Sequence, residues 1–143
     1  MEHNVFRAKS DISAESDYVA FAVSDDERLM ALAKSTGELQ VYDAATGGIV
    51  CHIFPETPHS AARPTAMSFS PDGQRIAVAT NVASEIHLWD LQTGEPAGQL
   101  RGHDGIVRCL EFAPTSDRLY SGSYDGTIRE WSLTTRSQLR LVD

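Results

Sequence analysis

The chain has 143 residues, 41% of them hydrophobic and 22% charged, and a formal net charge of −8. That length and composition suit one globular domain rather than a disordered chain. An acidic chain with no basic stripe lacks the footprint for phosphate binding, so neither nucleic acid nor an anionic membrane is an expected partner. No apolar run approaches the roughly 18 residues of a membrane-spanning helix. Residues 1–7 lack the basic-then-apolar layout of a signal peptide. Two cysteines, Cys51 and Cys109, cannot make a disulfide framework. The expected setting is therefore intracellular, reducing and cytoplasmic.

In chain order, residues 1–17 form an N-terminal segment with one candidate strand, Val5-Phe6-Arg7-Ala8. Three units with one layout follow. The first, over 18–62, carries Ser24 to Ala33 and then Leu39-Gln40-Val41-Tyr42-Asp43. The second, over 63–102, carries Ser70-Pro71-Asp72-Gly73 leading into Ile76-Ala77-Val78-Ala79, and then Ile86-His87-Leu88-Trp89-Asp90. The third, over 103–143, carries Ala113 to Gly122, then Ile128 to Ser132. Arg28, Arg75 and Arg118 set the expected register. Each unit reads as short strands punctuated by turns. Asp125-Gly126 tolerates positive φ and suits a tight hairpin, and Pro71 with Gly73 suits a turn. The small apolar run 76–79 predicts a strand covered on both faces. The alternation in Gln138-Leu139-Arg140-Leu141 predicts an outer strand with one covered face. Asp25 to Lys34 has helix propensity when read alone, but alignment with the other units predicts a strand, because propensity is a weak prior.

These residues resemble the WD-repeat β-propeller family. Gly102-His103, the run Ser121-Gly122-Ser123-Tyr124-Asp125-Gly126 and Trp131 make unit three the best match. The resemblance implies an all-β fold, a partial propeller of about three four-stranded antiparallel blades. It also implies a buried hydrogen-bond chain of His103, Ser121, Asp125 and Trp131, with Ser123 as the alternative hydroxyl. Units one and two lack Gly-His and lack an acid in the matching turn, so they are expected to rely on packing. Propellers close with about 4–8 blades. The further blades would come from a longer chain, another copy of this one, or another protein. The expected function is a non-enzymatic protein-interaction scaffold, most simply part of a larger propeller. A self-associating module that closes a ring between copies is the alternative, and a propeller-hosted enzyme comes third.

His103, Ser121 and Asp125 also compose a hydrolase-like set. The repeat spacing and the lack of a nucleophile elbow favour the structural role, and no catalytic residue is assigned. No metal or cofactor is expected. The five histidines are scattered, the turn glycines form no phosphate loop, and Asp25-Asp26-Glu27 lacks calcium-loop spacing. His59 lies one residue off the place of His103. Both cysteines read as small buried hydrophobes. The resemblance puts partners, a protein or peptide, on the rim where inter-strand loops meet. Alignment of the units places Asp17, Lys34, Arg63, Thr65, Asn81, Ile106, Arg108 and Tyr124 there. Tyr124 has no core to fill in its turn, and Arg63 and Arg108 are expected near it.

Overall fold

A computed structural model describes residues 18–53, 62–82, 84–115 and 117–143. The N-terminal strand candidate, Asp17 and His59 lie outside them. Among the described residues, twelve strands form three four-stranded antiparallel sheets, each a meander in chain order. Blade one holds β1 (Tyr18–Val23), β2 (Leu29–Lys34), β3 (Leu39–Asp43) and β4 (Ile49–Ile53). Blade two holds β5 (Pro64–Phe69), β6 (Arg75–Thr80), β7 (Ile86–Asp90) and β8 (Pro96–Leu100). Blade three holds β9 (Val107–Phe112), β10 (Arg118–Ser123), β11 (Ile128–Ser132) and β12 (Ser137–Val142). The first strands β1, β5 and β9 lie side by side along the inner edge of the array. This is the expected all-β partial propeller.

Two apolar layers hold the blades together. Between blades one and two, Ala31, Ala33, Leu39 and Val41 meet Phe69, Ile76 and Val78. Between blades two and three, Ala77, Ala79, Ile86 and Leu88 meet Leu110, Phe112, Leu119 and Trp131. The middle strands of blade two thus turn alternate residues toward each of its two neighbours. That explains why Ile76-Ala77-Val78-Ala79 is apolar at every position, with none of the four more than 6% exposed. Polar ties also cross the second boundary, Phe112 N–H to Ser68 Oγ at 3.4 Å among them. Thr65 Oγ1 donates to the Val107 carbonyl at 2.7 Å, and Arg136 Nη2 donates to the Ala97 carbonyl at 2.9 Å.

The helix-prone segment 25–34 is a turn followed by strand β2. Its acids serve the turn: Asp26 Oδ1 accepts from Ser24 Oγ at 2.6 Å, as Asp72 Oδ1 does from Ser70 at the same distance. Glu27 takes φ 58 where Gly73 takes φ 67. The turn fixes a register one residue away from the one expected. Ser24 N–H bonds the Leu29 carbonyl as Ser70 N–H bonds that of Arg75 and Ala113 N–H that of Arg118. Leu29, not Arg28, therefore matches Arg75 and Arg118. A one-residue slip in a strand exchanges its two faces, so this correction decides which residues of blade one face outward.

Two further expectations are corrected. Strand β12 is exposed at every position, so neither of its faces is covered. Cys51 is buried, but Cys109 is exposed, because it lies on the face of blade three turned away from blade two.

Candidate interaction rim and the buried polar chain of blade three

The Gly102–Ile106 loop carries His103 over the edge of blade three, and its side chain is fully buried. Its Nδ1 bonds Asp125 Oδ2 at 2.7 Å and its Nε2 bonds Ser121 Oγ at 2.7 Å. Trp131 Nε1–H donates to the same Ser121 oxygen at 2.7 Å. The proton pattern that satisfies every group has Nδ1–H donating to Asp125 and Ser121 O–H donating to Nε2. Asp125 also accepts from the backbone N–H groups of Asp104 and Thr127 and from Thr127 Oγ1. Burial pushes the Asp125 carboxyl upward. The hydrogen bonds from Thr127 and His103 outweigh it and hold the group well below the usual carboxylate range. Ser123 takes no part in the chain; its Oγ accepts from Asp125 N–H at 3.2 Å and shapes the turn.

This arrangement resembles a proton relay, but its hydroxyl is spent. Ser121 is 1% exposed, donates to His103 and accepts from Trp131. A nucleophile needs an open approach on its oxygen, and here the indole occupies it. The geometry is that of a satisfied buried network.

Blades one and two also hold polar clusters, contrary to the expectation that they rely on packing alone. Glu38 accepts from Lys34 Nζ at 2.9 Å and Gln40 Nε2 at 3.1 Å, and meets His52 Nε2 at 2.5 Å. Glu85 meets Arg101 at 2.9 Å and His87 at 3.8 Å, while Gln99 bonds His87 at 3.3 Å. Gln40 pairs with His52 across β3–β4, and His87 with Gln99 across β7–β8. The two blades thus carry one cross-strand pair with its members exchanged. Burial pushes His87 down. For Glu38, burial pushes the carboxyl up, but Lys34 and His52 together bring it below its ordinary value. The spacing Glu-x-Gln-x11-His against Glu-x-His-x11-Gln was the available sequence signal.

The rim residues fall into small groups. Arg108 stacks its guanidinium 5.4 Å from the ring centroid of Tyr124, which is 72% exposed. Ile106 supports that turn by accepting Tyr124 N–H at its carbonyl, 3.0 Å away. Arg63 and Asn81 close a separate turn: Asn81 Oδ1 accepts from Arg63 N–H at 2.7 Å. Thr65 has its hydroxyl committed to blade three, and Lys34 is paired with Glu38. Among the described residues, no group of three or more His, Cys, Asp or Glu is gathered to hold a metal.

Comparison with known proteins places this geometry in context. The WD domain, G-beta repeat, matches residues 48–90 and 94–132, more than half of the chain. Periodic tryptophan protein 2 homolog of Neurospora crassa is 40% identical over 74 residues, covering 52% of this chain and 8% of that protein. WD repeat and SOCS box-containing protein 1 of Xenopus tropicalis is 29% identical over 114 residues, covering 79% of this chain and 26% of that protein. The crystal structure of RRP9 WD40 repeats superposes with a TM-score of 0.78 at 20% identity, over 91% of this chain and 39% of that one. The chain therefore spans only a small part of the length of these relatives. With three four-stranded blades and the matched repeats together, the chain belongs to the WD-repeat β-propeller family.

Proposed function

We propose that the chain acts as a protein-interaction module within a larger propeller, and that partners dock on the rim around Tyr124 and Arg108. The family is one of typically non-enzymatic scaffolds, and the spent Ser121 hydroxyl fits a role without chemistry. The observation that carries the docking reading is the Arg108–Tyr124 stack. An aromatic ring 72% exposed on a tight turn, with a guanidinium laid on its face, buries little in the chain itself. Arg and Tyr dominate interface hot spots because each supplies large contact area with a polar tip. Arg108 is also placed to pair with a carboxylate on the partner. The chain's net charge of −8 fits a protein or peptide partner better than nucleic acid.

The experiment is affinity capture from extract with the full chain against the Tyr124→Ala/Arg108→Ala variant, with circular dichroism as the fold control. Lost capture with an unchanged spectrum is the expected result. Equal capture of every partner by both chains overturns the reading. We also propose a cytoplasmic, reducing setting, which two free cysteines suit; fractionation of tagged protein tests it.

A further inference from the structure

Each blade ends in an outer strand, β4, β8 or β12, that is the last of its sheet among the described residues. Blade two has a neighbour packed on both faces, and β8 is still an edge. An edge presents a row of backbone N–H and C=O groups that a further strand can pair with. The three edges are not alike. β8 is blunted: it starts at Pro96, has Gly98 at its centre, and its Ala97 carbonyl is taken by Arg136 Nη2 at 2.9 Å. β4 has five residues, with Cys51 and Ile53 buried and His52 engaged by Glu38. β12 has six residues, none of them proline or glycine, and all six are exposed. Leu139, Leu141 and Val142 stand 52%, 40% and 52% exposed on it.

Arg140 decides what fits this edge. It lies opposite Glu130 in the β11–β12 ladder. Arg118 Nη1 already holds Glu130 Oε1 at 2.7 Å, while Arg140 Nε stays 3.8 Å from Oε2. Two arginines thus share one carboxylate, and Arg140 has the poorer share, with its side chain 75% exposed. Its guanidinium keeps donors for a second carboxylate. A strand added beyond β12 sets one side chain directly opposite Arg140, with Cβ atoms about 4.5–5.5 Å apart. A glutamate there gives Arg140 an acid on both sides. Leu141 and Val142 point to opposite faces of the sheet. The next two residues of the added strand meet them in turn, and both contacts favour an aliphatic side chain.

We infer that β12 is a strand-addition edge, and that its occupant is an extended segment of a partner protein reading aliphatic-aliphatic-Glu and running antiparallel to β12. Main-chain hydrogen bonds give the affinity, and the Arg140–carboxylate pair gives the register. A second copy of this chain is a poorer fit, because β12 holds no acid to offer Arg140. Tyr124 and Arg108 belong to the other side of the blade, at β9 and the turn after β10. The rim and the edge therefore fail separately.

The test titrates the whole chain into a fluorescein-labelled peptide, Ser-Val-Val-Glu-Val-Val-Ser, and reads fluorescence anisotropy. A second peptide has Lys in place of Glu, and a third has N-methyl groups on alternate amides, which removes strand pairing. The Glu peptide should bind at least tenfold more tightly than the Lys peptide, and the N-methylated one should not bind. Arg140→Glu should reverse the order of the first two. If circular dichroism shows that Arg140→Glu does not fold, Arg140→Gln takes its place and should abolish the preference for Glu. Amide exchange in β12 should slow when the Glu peptide is bound. No binding of the Glu peptide at millimolar chain, equal binding of the Glu and Lys peptides, or equal binding of the N-methylated peptide overturns the inference. So does a wild type that runs at twice 15.6 kDa in light scattering and returns to monomer on Leu141→Lys, since a second copy then holds the edge.

Discussion

Trp131 and Ser121 meet across the middle of blade three, with the indole N–H 2.7 Å from the hydroxyl oxygen and both residues about 1% exposed. The contact makes the hydroxyl a junction rather than an end, since the same oxygen also serves His103. Ser121→Ala leaves the Trp131 N–H without an acceptor and His103 Nε2 without a donor. An orphaned buried polar group costs about 1–3 kcal/mol. The variant should unfold at lower urea with an unchanged slope. Trp131→Phe combined with Ser121→Ala should cost less than the two single changes added, because the same bond is lost in each. Strict additivity would show that the indole and the hydroxyl are not coupled.

Asp125 couples this chain to pH. Hydrogen bonds hold its carboxyl well below the ordinary carboxylate value, and an unfolded Asp titrates near about 3.9. A depressed native value means that the contribution is complete above the unfolded pKa and is lost as pH falls through and below it. Stability should therefore be level from neutrality to about pH 5 and then decline. Asp125→Asn should lower the plateau and flatten the decline, measured as the urea midpoint at a series of pH values. An equal acid slope in both chains would move the effect to other acids, such as Asp72, also held low.

The repeat layout was legible because its turn chemistry is local. Ser70-Pro71-Asp72-Gly73 and Asp125-Gly126 each fix a turn from their own side chains, and the strands between them follow. The slip at Arg28 arose because an arginine is a weak register mark, whereas Ser24 is a strong one. The Ser24-to-Leu29 hydrogen bond repeats at Ser70 and Ala113. The polar chain of blade three was legible from motif residues. The Glu38 and Glu85 clusters were not, since their members are gathered from two strands and exchange places between blades. Burial at the array's ends was not legible at all. Cys109 read as a covered strand residue, and it is in the open because it lies on the face of blade three turned away from blade two.

The thiols follow from that last point. Cys51 is 8% exposed, and burial with the nearby Asp90 carboxylate pushes its thiol up. Cys109 is exposed on the outer face of blade three. Thiolate fraction and access together set reactivity. A disulfide reagent at pH 8 should therefore modify one thiol quickly in the native chain, and the second only at the rate of unfolding. Mass spectrometry should locate the first adduct on Cys109. Rapid modification of Cys51 would mean that the layer between blades one and two opens freely.

Gly105 packs against the turn of Asp125 and Gly126 lies within it, and the two separate sterics from backbone strain. A Cβ on Gly105 would sit 2.7 Å from the Asp125 backbone nitrogen and 3.1 Å from the Tyr124 carbonyl carbon. Neither atom is the end of a flexible side chain, so the loop that carries His103 must move. Overpacking of this kind costs about 1–3 kcal/mol. Gly126 has open space around it but sits at φ 85, where an L-residue costs about 1–2 kcal/mol. Both alanine variants should be less stable by denaturant melts, yet only Gly105→Ala should disturb the imidazole. The His103 ring resonances should shift in Gly105→Ala and stay in place in Gly126→Ala. Unmoved resonances in Gly105→Ala would show that the loop yields without displacing His103 from Asp125.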